Sequence, residues 1–129
     1  MRATATFEIT GWDQTVYDEP PDGPPLARAT VYKTFSGDIV GTSTAEVLLC
    51  QADDGRGYLA SERVVGRIGD RAGAFVIQHG GIQDRATSDA FGSIVPGSAT
   101  GDLRGLRGTA SYVHDEHGAS LTLDYEIDG

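Results

Sequence analysis

Apolar and polar residues alternate along most of this chain, and the alternation is sharpest near the start. In residues 3–12, A-T-A-T-F-E-I-T-G-W, the side chains of Ala3, Ala5, Phe7 and Ile9 fall on one side and those of Thr4, Thr6, Glu8 and Thr10 on the other. A period of two is the mark of a strand with two different faces. The pattern returns at 26–35, where Ala29, Val31, Lys33 and Phe35 alternate against Arg28, Thr30, Tyr32 and Thr34. It predicts further strands at 39–51, 58–68, 72–79, 86–95, 109–113 and 119–127, the last with Leu121, Leu123, Tyr125 and Ile127 on one face. Short Gly- and Asp-rich turns join them: Ser36-Gly37-Asp38, Asp53-Asp54-Gly55, Gly69-Asp70-Arg71 and Gly80-Gly81.

Two segments break the rhythm. Residues 13–25 contain Pro20, Pro21, Pro24 and Pro25, and proline cannot donate to a ladder, so a long connection that covers one end of the fold is expected. Residues 96–108 are punctuated by glycine, with room for one helical turn at 102–106.

Eight strands in hairpin succession, with no long crossover, predict one all-β domain over residues 1–129. The expected architecture is an eight-stranded antiparallel up-and-down barrel rather than a two-sheet sandwich. A ring of this size is either filled by side chains or holds one small ligand. Placing Ile68 opposite Ala72 pairs Glu62 with Gln78 and Ser61 with His79, and leaves both faces of that hairpin substantially apolar. One face then lines the interior, and the other is expected to be covered by a second subunit, giving a homo-oligomer.

Charge narrows the partners. With 19 acidic and 10 basic side chains the net charge is −9, which repels phosphate backbones and anionic headgroups, so neither nucleic acid nor a membrane is expected. The lone Cys50 forms no intrachain disulfide, and the N-terminal residues show no basic start followed by an apolar run. A cytoplasmic location follows as the expectation.

Candidate chemistry is sparse. Glu8 and Glu62 are the candidate catalytic acids: each shares a strand face on which a carboxylate aimed into an apolar interior would become usable for proton transfer. Gln78 is a candidate donor to Glu62. Thr10, Trp12, Tyr32, Phe91 and Tyr125 are candidate ligand-binding residues, and Tyr58 is a further aromatic that could line a pocket. His79 reads as a rim or interface residue, and H-D-E-H at 114–117 as a solvated turn; no metal site and no cofactor is expected. There is no G-x-S-x-G elbow, P-loop, dinucleotide fingerprint or C-x-x-C.

Five ordered stretches resemble a bacterial family of unknown function, number 3224: F-E-I-T-G-W-D at 7–13, K-T-F-S-G-D-I at 33–39, E-R-V-V-G at 62–66, F-V-I-Q-H at 75–79 and V-P-G-S-A-T-G-D-L-R-G-L-R-G at 95–108. Residues 33–39 and 100–105 also resemble motifs of the allene oxide cyclase and dirigent barrels. That resemblance implies a barrel with a central pocket, usually oligomeric, and a cofactor-free reaction on a lipid-derived substrate. It also implies that Glu8 stands at the closed end of the pocket and that Thr10 replaces a water-binding Asn.

The expected function is binding of a hydrophobic small molecule in the lumen, with a cofactor-independent cyclase or isomerase as the first reading. A non-catalytic carrier or sensor and a structural oligomerisation barrel stay open beside it.

Overall fold

The computed structural model describes residues 1–128. Eight antiparallel strands make up nearly all of it: β1 (Arg2–Asp18), β2 (Leu26–Gly37), β3 (Ile39–Gln51), β4 (Gly55–Ile68), β5 (Arg71–Asp84), β6 (Ser88–Ile94), β7 (Leu106–Asp115) and β8 (Gly118–Ile127). A single short 3₁₀ turn, Gly101–Leu103, stands where the helical turn at 102–106 was expected. Consecutive strands pair, and β8 returns to β1, so the sheet forms a ring in sequence order.

The strands exceed their sequence signals at several ends. β1 does not stop at Trp12 but runs to Asp18, leaving only residues 19–25 as the proline-containing connection. A bulge makes this possible. Register is lost between Ile9 and Gly11, and Thr10 has no Cα partner. The extra residue reverses the alternation, so that Trp12 joins odd-numbered Ile9 on the inner face by pairing with inward Val31. Glycine at position 11 allows it: a Cβ there would lie 2.8 Å from the Tyr32 ring.

The β4–β5 hairpin differs from its expected register by one residue. Its loop is two residues, Gly69 and Asp70, and Ile68 pairs with Arg71 rather than Ala72. Such a slip exchanges the faces of the whole second strand. Glu62 now opposes Ile77, His79 opposes Ala60 and turns inward, and Gln78 turns outward. β5 also continues through Gly80-Gly81 to Asp84.

Inside the ring lie two apolar clusters. The larger holds Phe35, Ile39, Val64, Phe75, Ile77, Leu103, Leu106, Leu121 and Leu123, with Phe7, Tyr112 and Tyr125 packed against it. The smaller holds Ala29, Val31, Ala45, Val47 and Ala60, with Leu49 and Tyr58 beside it. A layer of four buried polar side chains, Lys33, Ser43, Glu62 and His79, separates them, one from each of β2, β3, β4 and β5.

Candidate functional site

Cα pairing across the sheet arranges the inner face in rows. Val16, Ala27, Leu49, Tyr58 and Gly81 form the row nearest one end of the ring; next come Gln14, Ala29, Val47, Ala60 and His79, then Trp12, Val31, Ala45, Glu62 and Ile77. Most of these side chains are small, and Trp12 and Val16 remain 49% and 45% exposed. Beneath them Ala29, Val31, Ala45, Val47 and Ala60 are closed off from solvent, so this end of the ring is a shallow, largely apolar mouth rimmed by Trp12, Val16, Leu49 and Tyr58. Tyr58, His79 and Glu62 step down its wall, one per row.

At the bottom of that stair Glu62 is fully buried and accepts four hydrogen bonds. One carboxylate oxygen, Oε1, accepts from Lys33 Nζ at 3.2 Å, His79 Nε2 at 2.8 Å and the Tyr112 hydroxyl at 2.9 Å. The other, Oε2, accepts from Ser43 Oγ at 2.5 Å. Burial pushes this carboxyl up, but the His79 hydrogen bond, the Lys33 charge and the Ser43 hydrogen bond more than offset it and hold it down at about 2. Glu62 is therefore a buried anion, placed as counter-ion to Lys33 and hydrogen-bond acceptor for His79.

Lys33 completes the charge balance. Its ammonium also lies 4.6 Å from the centre of the Phe7 ring and 4.9 Å from that of Tyr112, which replaces part of its lost hydration. His79 stacks on Tyr112 with ring centres 4.2 Å apart. A carboxylate only accepts, so His79 Nε2 carries a proton. Its other nitrogen, Nδ1, lies 3.0 Å from the Tyr58 hydroxyl. Burial and the Glu62 charge both push the Tyr58 phenol up, and burial does the same to Tyr112 more strongly, so both keep their protons at neutral pH. Tyr58 is half-buried. It is the end of the chain Glu62, His79, Tyr58 that reaches the mouth. Among the described residues, no buried side-chain polar atom lacks a partner.

The sequence-predicted residues scatter. Glu8 pairs with Thr34 and is exposed on the outer face, because Phe7 takes the inward position beside it. Thr10 is exposed in the bulge. Tyr32, between inward Val31 and Lys33, lies outside and is 41% exposed. Gln78 is exposed and reaches only Ser61 Oγ, at 3.4 Å, so it gives Glu62 nothing. Phe91, 56% exposed, stands on the outer face against Gly80 and Leu59. Tyr125 packs against the larger cluster at the opposite end of the ring, beside a cavity of about 450 Å³ lined by Arg2, Asp38, Ile68 and Arg71 among others. A second cavity of about 400 Å³ is lined mainly by outward residues of β3, β4 and β5, such as Thr42, Arg63 and Val65. Of these residues only Glu62 and Trp12, with Tyr58, lie on the inner face at the His79 end of the ring.

Lys33, Ser43, His79 and Tyr112 were not singled out from the sequence as site residues. One signal was present: Lys33 sits on the alternating side otherwise occupied by Ala29, Val31 and Phe35. A lysine on an apolar strand face calls for a buried anion.

Residues 3–126 match the family described as "Protein of unknown function (DUF3224)". The chain belongs to that family. A solved DUF3224 protein from Shewanella oneidensis MR-1, itself described as of unknown function, is 28% identical, with a TM-score of 0.85 over 100% of this chain and 98% of that one. No curated protein matches the chain. The solved DUF3224 protein shares this fold, and neither it nor the family description assigns a chemistry.

Proposed function

We propose that this DUF3224 protein binds a small molecule in the mouth of its ring and moves protons on it without a cofactor, as an isomerase or tautomerase. The observation that carries the reading is His79, hydrogen-bonded on one side to an anionic carboxylate and on the other to a phenol that faces the mouth. Carboxylate, imidazole and hydroxyl in series are the parts of an activated hydroxyl.

The step balances within these groups. As the Tyr58 oxygen takes a proton from an acidic C–H bond, the phenol's own proton passes to His79 Nδ1, and the C–H electron pair becomes an enolate on the ligand. Glu62 stabilises the imidazolium formed. Tyr58 then returns a proton to a different carbon and recovers its own from His79, so the ligand leaves as an isomer. Phenolate never accumulates, which suits a phenol pushed above its ordinary range.

The finer architecture belongs to the same proposal: an up-and-down barrel of the allene oxide cyclase type. Sequential pairing of neighbouring strands, with the longest connection between β6 and β7, and the β8 to β1 closure support it. Exposure of Glu8 moves the chemistry away from the residue that likeness implied, toward Tyr58.

The test is deuterium uptake from D₂O into a panel of enolisable ketones, followed by proton NMR. The wild-type protein is expected to exceed buffer, and Tyr58→Phe to lose about 10²-fold or more. Uptake no faster than buffer, or unchanged in Tyr58→Phe, overturns the proposal.

A further inference from the structure

We infer that two copies of this chain dock face to face through the outer surface of β3, β4, β5 and β6, about a twofold axis that crosses the strands at Ser61. The inference is independent of the chemistry proposed for Tyr58.

Exposed apolar side chains concentrate on this surface. Val40, Leu48, Leu59, Val65, Ile82 and Phe91 are all exposed and all project outward from these four strands. Three of them make one ridge. Leu48 pairs with Leu59, Leu59 with Gly80, and Gly80 with Phe91. A Cβ at Gly80 would meet the Phe91 ring at 2.7 Å and Leu59 Cδ2 at 3.0 Å, so those two side chains close over the glycine. A contiguous apolar ridge held in water marks a contact surface.

Shape selects a second copy as the occupant. Four residues along β4 from Leu59, about 14 Å away, the same face sinks into a hollow of about 400 Å³ lined by Thr42, Thr44, Arg63, Val65 and Val76 among others. Ser61 lies midway between ridge and hollow. Half a turn about an axis across the strands at Ser61 brings the partner's ridge over this hollow and the partner's hollow over this ridge. An isologous interface requires that reciprocity.

Charge selects the same axis. The face balances Glu46 and Asp89 against Arg63 and Arg67 in a chain of net charge −9, so two copies repel each other least here. The two ends of the face differ in sign. Arg67 lies six residues from Ser61 toward the β4–β5 hairpin, and Gly55 lies six residues the other way, joined to the acidic turn at Asp53 and Asp54. Among the described residues neither Arg67 nor Asp53 has an ion-pair partner. The rotation that seats ridge in hollow also sets each Arg67 level with the Asp53-Asp54 turn of the other copy, whereas an axis along the strands would set like charges together.

The face is large enough for this. It runs about 27 Å from Val40 to Leu48 and about 14 Å from β3 to β6 between backbones, and outward side chains widen that footprint toward the roughly 800 Å² per partner of a standard interface.

Sedimentation velocity of the full chain, from about 1 to 200 µM, is expected to show a species of twice the chain mass. Leu59→Arg sets one unpaired cation from each copy into the contact and is expected to weaken association about 100-fold or more. Ser111→Arg, exposed on the outer face of β7, is expected to leave association within about threefold of wild type; circular dichroism establishes that both variants are folded. Cross-linking gives a second reading without a disruptive substitution. In a Cys50→Ser background, Ser61→Cys is expected to be joined to its own copy by bismaleimidoethane at least tenfold faster than Ser111→Cys. The inference is overturned by a monomer at every concentration, which would leave the face to a different protein, or by an assembly of three or more copies. A folded Leu59→Arg variant that associates like wild type, or Ser61→Cys that couples no faster than Ser111→Cys, overturns it equally.

Discussion

Tyr58 and Glu62 project from the same face of the same strand, four residues apart, and His79 from the neighbouring strand hydrogen-bonds to both. Ala60, the residue between them on that face, pairs with His79, and its small side chain leaves room for the imidazole. A buried charge is thereby tied to a half-exposed hydroxyl through one ring.

Glu62 holds the polar layer together, and Glu62→Gln is expected to destabilise the fold by about 3 to 5 kcal/mol, because it strands the Lys33 ammonium in the interior. The paired replacement Lys33→Met with Glu62→Met removes both charges and is expected to recover most of that loss. Urea denaturation of wild type and the two variants checks both statements.

Acid should unfold the protein through the same group. The Glu62 carboxyl is depressed in the folded state, so its contribution is complete above its ordinary value near 4.5 and is lost as pH falls toward about 2. A shift of that size corresponds to roughly 3 kcal/mol. Thermal melts of wild type are expected to fall steeply across this window, and those of the paired Met variant to fall less.

Much of the fold was legible because a period of two needs no long-range information. The eight strands and their order follow from alternation and turn residues alone. The site was not legible, for two local reasons. One residue of difference in the Gly69-Asp70 loop exchanged Gln78 for His79 on the inner face, and the bulge at Thr10 did the same for Trp12. Glu8 illustrates the converse: strict alternation states that it opposes Phe7, but not which of the two faces is inside. Lys33 alone, from its apolar neighbours, announced a buried partner.

Close backbone approach should make two glycines irreplaceable. Gly41 and Gly66 are Cα partners on β3 and β4, and a Cβ at Gly66 would lie 2.1 Å from the Val40 carbonyl oxygen. Backbone cannot yield as a side-chain tip can. Gly66→Ala is expected to cost on the order of 3 kcal/mol or more, whereas Gly69→Ala, with open space around it but φ of +61°, should cost about 1. Circular dichroism melts of the two variants decide.

The link through His79 is tested most directly by ¹⁵N NMR of its imidazole in wild type and Tyr58→Phe. The account predicts a proton fixed on Nε2 in both proteins, and an Nδ1 resonance that moves when the phenol oxygen is removed. A proton on Nδ1 with Nε2 bare, or an Nδ1 resonance indifferent to Tyr58→Phe, would contradict it.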